Sequence, residues 1–324
     1  MLSRLQSAFC ATLAVLAVSQ SAAASEWPLS GTTTIVVPYP AGNIADIAAR
    51  TIGQKLNERT GKTIIVDNRA GASTQIGTSL VARAPADGRT LLLTGAIFAT
   101  NPALFPKLPY DSEKDLAPVG LVVSNPLVLT TAKSKPFTDF KSMADYAKAK
   151  PGHLALASGG SGTLTHIALA LMGISLNTEI NHVPYKGGSA AATDTLSGQV
   201  DGFWDNPSSA IPQIKADRIR PLAVSGRTRN PALPDVPTMI ELGYADFEAI
   251  NWFGVFAPGK TDPQLLDVIH KEIQAVLALP DVQERFAREG VTAGGPPRAQ
   301  YATFVTSEIK KWGTLIREKN IQAE

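Results

Sequence analysis

The sequence holds one cysteine and four histidines in 324 residues, its charges nearly cancel, and it has no long apolar run beyond its N-terminus. The cysteine, Cys10, lies in a stretch (residues 1–24) with one basic residue, Arg4, an apolar run over 11–18 and the small-residue ending Ala22-Ala23-Ala24. That pattern predicts a secretory signal peptide removed before Ser25, whose apolar part is too short to span a bilayer. Cys10 precedes most of the apolar run, whereas a lipid-anchor cysteine would follow it. The exported chain is then free of cysteine, which excludes a disulfide and a thiol nucleophile. His153, His166, His182 and His270 show no metal-ligand spacing. Formal charge is +2, of which Arg4 supplies one, leaving +1 for the exported form. Such a balance argues against nucleic acid or an anionic membrane surface as the main partner. The block Lys310-Lys311 through Lys319 is interleaved with Glu308 and Glu318 and reads as a solvated helix face. No later stretch approaches 18 uninterrupted apolar residues, so the chain is not expected to be membrane-embedded. Its expected place is outside the cytoplasm.

What the chain does hold is an alternation of strand-like and helix-like runs, the pattern of α/β layers with mostly parallel sheets flanked by helices. Strands are predicted at Thr33–Val37, 63–66, 90–94, 117–123, 126–131, 154–157, 180–183, 200–204, 221–224 and 249–257. Helices are predicted at 44–59, 75–84, 139–148, 163–172, 189–196, 263–279, 282–289 and 299–318. The last three have no strand series of their own, so the tail is expected to return to the first unit. After the signal at 1–24, the expected division is a discontinuous lobe 1 of 25–125 plus 250–324 and a lobe 2 of 126–249, with a hinge between them.

Two strand-to-helix junctions about 120 residues apart carry the functional signal: Pro38-Tyr39-Pro40-Ala41-Gly42-Asn43-Ile44-Ala45-Asp46 and Ala157-Ser158-Gly159-Gly160-Ser161-Gly162-Thr163. The start of a helix offers unpaired N–H groups and the positive end of its dipole, so it binds an anion without any basic side chain. In the first turn Asn43 is placed as N-cap and Asp46 can reach back to the turn. Arg50 stands four residues on, so Asp46 is open to a capping role or to ligand contact. Tyr39, held between two prolines, is expected to form a stiff pocket wall. In the second turn Ser158, Ser161 and Thr163 supply hydroxyls beside Gly159, Gly160 and Gly162, and His166 projects from the first helical turn as a structural residue or a ligand contact. A third turn, Val183-Pro184-Tyr185-Lys186-Gly187-Gly188-Ser189, adds a cation. Asp205 and Asn206 end a strand, where open α/β sheets bind ligands.

One motif is a decoy. Gly254-Val255-Phe256-Ala257-Pro258-Gly259-Lys260-Thr261 fits G-x-x-x-x-G-K-[ST], the phosphate-cradling loop. Its first glycine falls inside an apolar strand, Pro258 removes an N–H from the cradle, and Thr261-Asp262-Pro263 reads as a helix cap. No G-x-S-x-G elbow occurs, and a triad of Ser161, His166 and Asp194 is a combination any α/β chain offers.

The ordered set of motifs resembles the Bug-type periplasmic substrate-binding proteins of tripartite tricarboxylate transporters, over essentially the whole exported chain. The likeness runs through the P-Y-P-A-G start with Asp46, Ala49 and Arg50, then Asn68-Arg69-x-Gly71, Ala86-Asp87-Gly88-x-Thr90-Leu91-Leu92 and Tyr110-Asp111-x-x-x-Asp115-x-Ala117-Pro118. It continues in Ser158-Gly159-Gly160-x-Gly162-Thr163-x-x-His166, Val183-Pro184-Tyr185-Lys186-Gly187-Gly188, Gly198-Gln199-Val200-Asp201, Pro234-Asp235-Val236-Pro237-Thr238 and Trp252-Phe253-Gly254. The resemblance implies a two-lobed periplasmic binding protein fold of type II-like form that holds a small organic carboxylate between its lobes. Such a receptor closes about its hinge and delivers the solute to membrane permease subunits, without catalysis, metal or cofactor, and a monomer is expected. Carried onto this chain, ligand contacts fall on Tyr39, Ala41, Gly42, Asn43, Ile44, Ala45 and Asp46, on Ser158, Gly159, Ser161, Gly162 and Thr163, and on His166 and Asp205. The chain departs from the family where Gly-Gly is usual: it has Gly42-Asn43 and then the bulky Ile44, expected to narrow the pocket and favour a ligand with an apolar or aromatic body. Two rivals share the fold, a periplasmic sensor reporting to a signalling partner and an exported hydrolase or transferase.

Overall fold

The computed structural model describes residues 31–318. The predicted signal segment with Cys10 lies outside the described residues.

Strands β1 (Thr33–Val37), β2 (Ile64–Asn68) and β3 (Thr90–Gly95) run parallel, joined by helices α1 (Ile44–Thr60) and α2 (Gln75–Ala82). In α1 the residues Ala45, Ala48, Ala49, Ile52 and Leu56 recur at helical spacing and are buried against the sheet. Helix α3 (Ile97–Leu104) and strand β4 (Leu116–Pro126) follow, and at Leu127 the chain crosses to β5 (Val128–Ala132) of a second sheet. That sheet is completed through α4 (Phe140–Ala149), β6 (Ala155–Ser158), α5 (Leu164–Leu176), β7 (Asn181–Pro184), α6 (Gly188–Ser197), β8 (Gly202–Asp205), α7 (Pro207–Lys215) and β9 (Ile219–Val224). The chain returns to the first sheet as β10 (Ile250–Pro258) and ends in α8 (Pro263–Leu277), α9 (Pro280–Arg288), β11 (Thr292–Ala293) and α10 (Arg298–Glu318). The tail is keyed into the first sheet by Glu308, whose Oε2 accepts from the indole N–H of both Trp252 (3.1 Å) and Trp312 (2.7 Å).

The two lobes are thus built on sheets of order β11-β4-β10-β3-β1-β2 and β7-β6-β8-β5-β9. Both are mixed: β1, β2 and β3, and β6, β7 and β8, run parallel as expected, and in each sheet the strand entering from the other lobe is reversed. In the first, β10 lies antiparallel to both its neighbours, β3 and β4; in the second, β5 lies antiparallel to both β8 and β9. These are the strands that arrive from the other lobe. Parallel neighbours need a crossover helix, and a strand entering directly from the opposite lobe has none behind it.

Three elements differ from the sequence reading. Helix α3 has no polar face to give a period: Phe98, Ala99, Thr100 and Asn101 are all buried. Helix α7 carries Pro212 in its interior, a residue that normally ends a helical pattern. Strand β11 is only two residues long. The phosphate-loop look-alike resolves as packing: a Cβ on Gly254, inside β10, would lie 1.9 Å from the Tyr301 hydroxyl, and Asp262 caps α8.

Candidate functional site

Between the sheets lies a cavity of about 410 Å³ whose wall comes from both lobes. The first lobe supplies Gly42, Asn43, Ile44 and Ile47 at the β1–α1 junction, Phe253 of β10, and Glu289 and Val291 after α9. The second supplies Gly188 and Ser189 at the start of α6, and Asp205, Asn206, Ser208 and Ser209 where β8 runs into α7. Asn125 and Asn251 come from the strands that link the lobes, where they face one another across the β4–β10 ladder. The N-termini of α1, α6 and α7 reach this space, and no lysine, arginine or histidine belongs to its wall.

At the first junction Asn43 caps α1, its Oδ1 accepting from the Asp46 N–H at 3.0 Å. The Asp46 carboxylate turns inward. It accepts from the Gly42 N–H (2.9 Å), from Arg50 Nε (3.0 Å) and from Asn68 Nδ2 (3.0 Å), and those donors hold its pKa below the usual carboxylate value against the opposing effect of burial. Asp46, 4% exposed, therefore shapes the turn and leaves the Ile44 and Ala45 N–H groups, which a helix cannot satisfy internally. Tyr39 stands behind the wall. Its ring meets Phe253 edge-on at 5.7 Å, its hydroxyl accepts from the Gly95 N–H at 3.2 Å, and burial pushes its phenol up to about 12. Ala41 is exposed and Ala45 is buried beneath α1.

The second junction is closed on itself. Gly159 N–H donates to Thr165 Oγ1 (2.9 Å), Gly160 N–H to Ser158 Oγ (3.1 Å) and Gly162 N–H to His166 Nδ1 (3.1 Å), while Thr163 caps α5. His166 stacks on His182 with centroids 3.7 Å apart, and Ser158 Oγ lies 2.6 Å from His182 Nε2. Burial, with the neighbouring His182 second, pushes His166 down to about 4, so the ring is neutral and accepts through Nδ1. Both histidines line a different groove, of about 560 Å³, between α5 and β7. Ser158, Gly159, Ser161, Gly162, Thr163 and His166 are thus not part of the cavity wall. The turn supports it from behind: a Cβ on Gly159 would lie 3.2 Å from the Gly188 nitrogen.

The open donors of the second lobe lie elsewhere. Helix α6 begins at Gly187, which has no side chain to cap it. Helix α7 begins at Asn206, whose Oδ1 accepts instead from Asn125 Nδ2 (3.2 Å) and Asn251 Nδ2 (3.1 Å), so it makes no cap. Neither helix end has a side-chain cap at the cavity; at α7 Pro207 has no N–H and the Ser209 N–H already donates to the Asn206 carbonyl (3.0 Å), which leaves the Ser208 N–H. Asp205, 3% exposed, accepts from the Asn206 N–H at 2.7 Å and from Ser209, yet burial pushes its carboxyl up to about 6. Lys186 is exposed and stands outside the wall. Of the residues singled out from sequence, Gly42, Asn43, Ile44 and Asp205 meet at the cavity. The third turn and Asn206 join them. Ile47, Ser208, Ser209, Asn125, Asn251, Phe253, Glu289 and Val291 were missed, although Asn206-Pro207 followed by two serines after a strand is a readable helix start.

A family profile described as the tripartite tricarboxylate transporter family receptor, TctC, matches residues 48–321. The chain belongs to the TctC family. Protein BugT of Bordetella pertussis is 35% identical to this TctC protein over 314 residues, 94% of this chain and 96% of BugT. The solved structure of R. palustris Rpa4515 with adipate is 31% identical with a TM-score of 0.79, covering 92% of this chain and 100% of the other. MatC from Rhodopseudomonas palustris with bound malate is 30% identical with a TM-score of 0.74, covering 88% and 98%. TctC proteins are solute-binding receptors and not enzymes, and the imagined triad is not assembled: Asp194 accepts from the Tyr185 hydroxyl at 2.7 Å and His166 Nδ1 from Gly162. Among the described residues no helix is long and apolar enough to cross a membrane, and no group of three or more His, Cys, Asp or Glu side chains could hold a metal ion.

Proposed function

We propose that this TctC receptor binds a small organic carboxylate in the cavity between its lobes and hands it to the membrane subunits of a tripartite tricarboxylate transporter. The observation that carries the reading is the wall itself: three helix N-termini, two of them uncapped, converge on it with amide and hydroxyl donors, and no basic side chain competes. Relatives bound to adipate and malate support the ligand class. Lobe 1 comprises 25–125 plus 250–324 and lobe 2 comprises 126–249, working as a monomer in the periplasm after removal of 1–24. The carboxylate is held by the N–H groups of Ile44, Ser189 and Ser208 with the Asn43 side-chain amide. Ile44, Ile47, Phe253 and Val291 cover the carbon skeleton. Closure about the strands that carry Asn125 and Asn251 hides the solute from water and presents one joined surface to the permease.

Several hydrogen bonds to a charged group at roughly 1.5–3 kcal/mol each, with apolar burial and after ordering costs, reach the net of about −8 kcal/mol that micromolar affinity requires. The test is thermal unfolding against aliphatic and aromatic mono-, di- and tricarboxylates, with sugars and amino acids as controls. Ligand at 100 times its dissociation constant stabilises by about 2.7 kcal/mol, a rise of roughly 5–10 °C for a chain of this size. A rise confined to one group of acids is expected; a rise with a sugar and with no acid overturns the reading.

A further inference from the structure

A carboxylate entering the cavity meets two other carboxyl groups and no cationic side chain. Asp205 lies in the wall at the end of β8, almost wholly buried, and Glu289 lies at the end of α9, partly exposed. Every other wall residue is uncharged, whether from the α1 start, the linking strands, β10, α6, α7 or the segment before β11. The helix ends each offer about half a positive charge. That suits one carboxylate, and an ionised Asp205 beside it is the situation of two acids sharing one site, in which only one ionises.

Resting on the carboxylate reading above, we propose that ligand capture is coupled to uptake of one proton by Asp205, which then donates an O–H···O hydrogen bond to the ligand's carboxylate. The proton comes from the buffer and moves onto Oδ2, while Oδ1 keeps the Asn206 N–H. No other bond is made or broken. Asp205 thereby selects an anionic partner and works against a ligand that brings a cationic group to this end of the cavity. Burial already places the empty site's Asp205 at about 6, and the ligand's charge raises it further. Above pH 6 the empty site must therefore gain a proton to bind, and affinity falls as pH rises.

Isothermal titration of the receptor with adipate, malate and benzoate between pH 6.5 and 8.5, a range in which all three are ionised, tests this in phosphate and Tris buffers. The dissociation constant of the acid that binds is expected to weaken at least tenfold across the range. The two buffers should report different heats, corresponding to uptake of up to one proton per ligand. Asp205→Asn, whose amide donates at any pH, is expected to lose the slope and to bind at least fivefold more tightly than the parent at pH 8.5. The parent's proton count needs no variant, so the proposal stands or falls even where Asp205→Asn folds poorly. Tight binding that is independent of pH, or that strengthens as pH rises, overturns the proton uptake and leaves the carboxylate reading intact. So does a slope that survives in Asp205→Asn and is lost in Glu289→Gln. Binding of none of the three acids at any pH, in a receptor that a sugar stabilises, overturns both.

Discussion

The junctions at 38–46 and 157–166 are written in the same local vocabulary: a strand, a run of glycine and small residues, a polar N-cap and a helix. They use their N–H groups in opposite ways. At the first, one carboxylate, Asp46, gathers the turn from inside and the helix start remains open to the cavity. At the second, Ser158, Thr165 and His166 take the N–H groups of Gly160, Gly159 and Gly162 in turn. A glycine-rich turn marks a place where backbone donors are accessible, and the neighbouring side chains decide whether those donors are spent locally. The unspent ends, α6 and α7, are the ones whose N-cap residue lacks a side chain or has given it away.

The largest difference is expected in the response to pH of His166, behind the second junction, and Asp205, in the cavity wall. His166 is held neutral and its folded pKa is lowered to about 4. Its contribution to stability is present above 6.5 and is lost as pH falls through that interval, by up to about 3 kcal/mol. Asp205 is raised to about 6, so its contribution is present below about 4 and is lost as pH rises through 6, by up to about 3 kcal/mol. The two oppose one another between pH 4 and 6. Urea unfolding at pH 7, 5.5 and 4.5 should show Asp205→Asn losing stability on acidification and His166→Asn gaining it, with the parent between them; parallel curves for all three would undo the assignment of both groups.

Next come the glycines. Gly162 has φ +76° and an added Cβ would lie 2.6 Å from Leu104 Cδ1 of α3, whereas Gly42 has φ +87° and open space around it. Gly162→Ala should cost about 2–3 kcal/mol of unfolding free energy and be partly relieved by Leu104→Ala; Gly42→Ala should cost about 1 kcal/mol, from the backbone alone. Equal costs at the two sites would mean that the second turn is not clamped against α3.

The caps give a smaller effect on stability and a cleaner one on binding. Asn43→Ala and Thr163→Ala should each remove about 1 kcal/mol of stability. Only Asn43→Ala is expected to weaken carboxylate binding, about tenfold by titration calorimetry, because only Asn43 is in the wall. Least of all, Ile44→Ser should shift the preference between aromatic and aliphatic acids by a few-fold, through lost apolar area; an unchanged ranking of acids removes Ile44 from the selectivity.

Much of the frame was readable before the structure. The start of α1 at Ile44, β1 from Thr33 to Val37 and the placement of most helices follow from apolar period and cap residues. What escaped did so for physical reasons. Helix α3 buries four consecutive residues, Phe98, Ala99, Thr100 and Asn101, and so shows no periodicity, and α7 carries Pro212 in its interior, where a proline normally marks the end of a helical pattern. At the site, Gly42, Asn43, Ile44 and Asp205 were legible because strand ends and helix starts announce themselves. The role of Tyr39 behind Phe253 was not, since the contact spans the distance between β1 and β10 in the chain. Nor was the exclusion of Ser158 to Thr163 from the wall, which depends on His182, brought beside His166 only when β7 pairs with β6.

One oxygen, Oδ1 of Asn206, accepts from amides on both strands that join the lobes. For anyone recombining this receptor with a relative, that atom sets the rules of the cut. A chimera that exchanges the inner segment at the two crossings draws Asn206 from one parent and Asn125 and Asn251 from the other. Such a hybrid inherits its solute preference and its hinge as a single trait, and parents that differ at any of the three positions should be crossed with all three carried together.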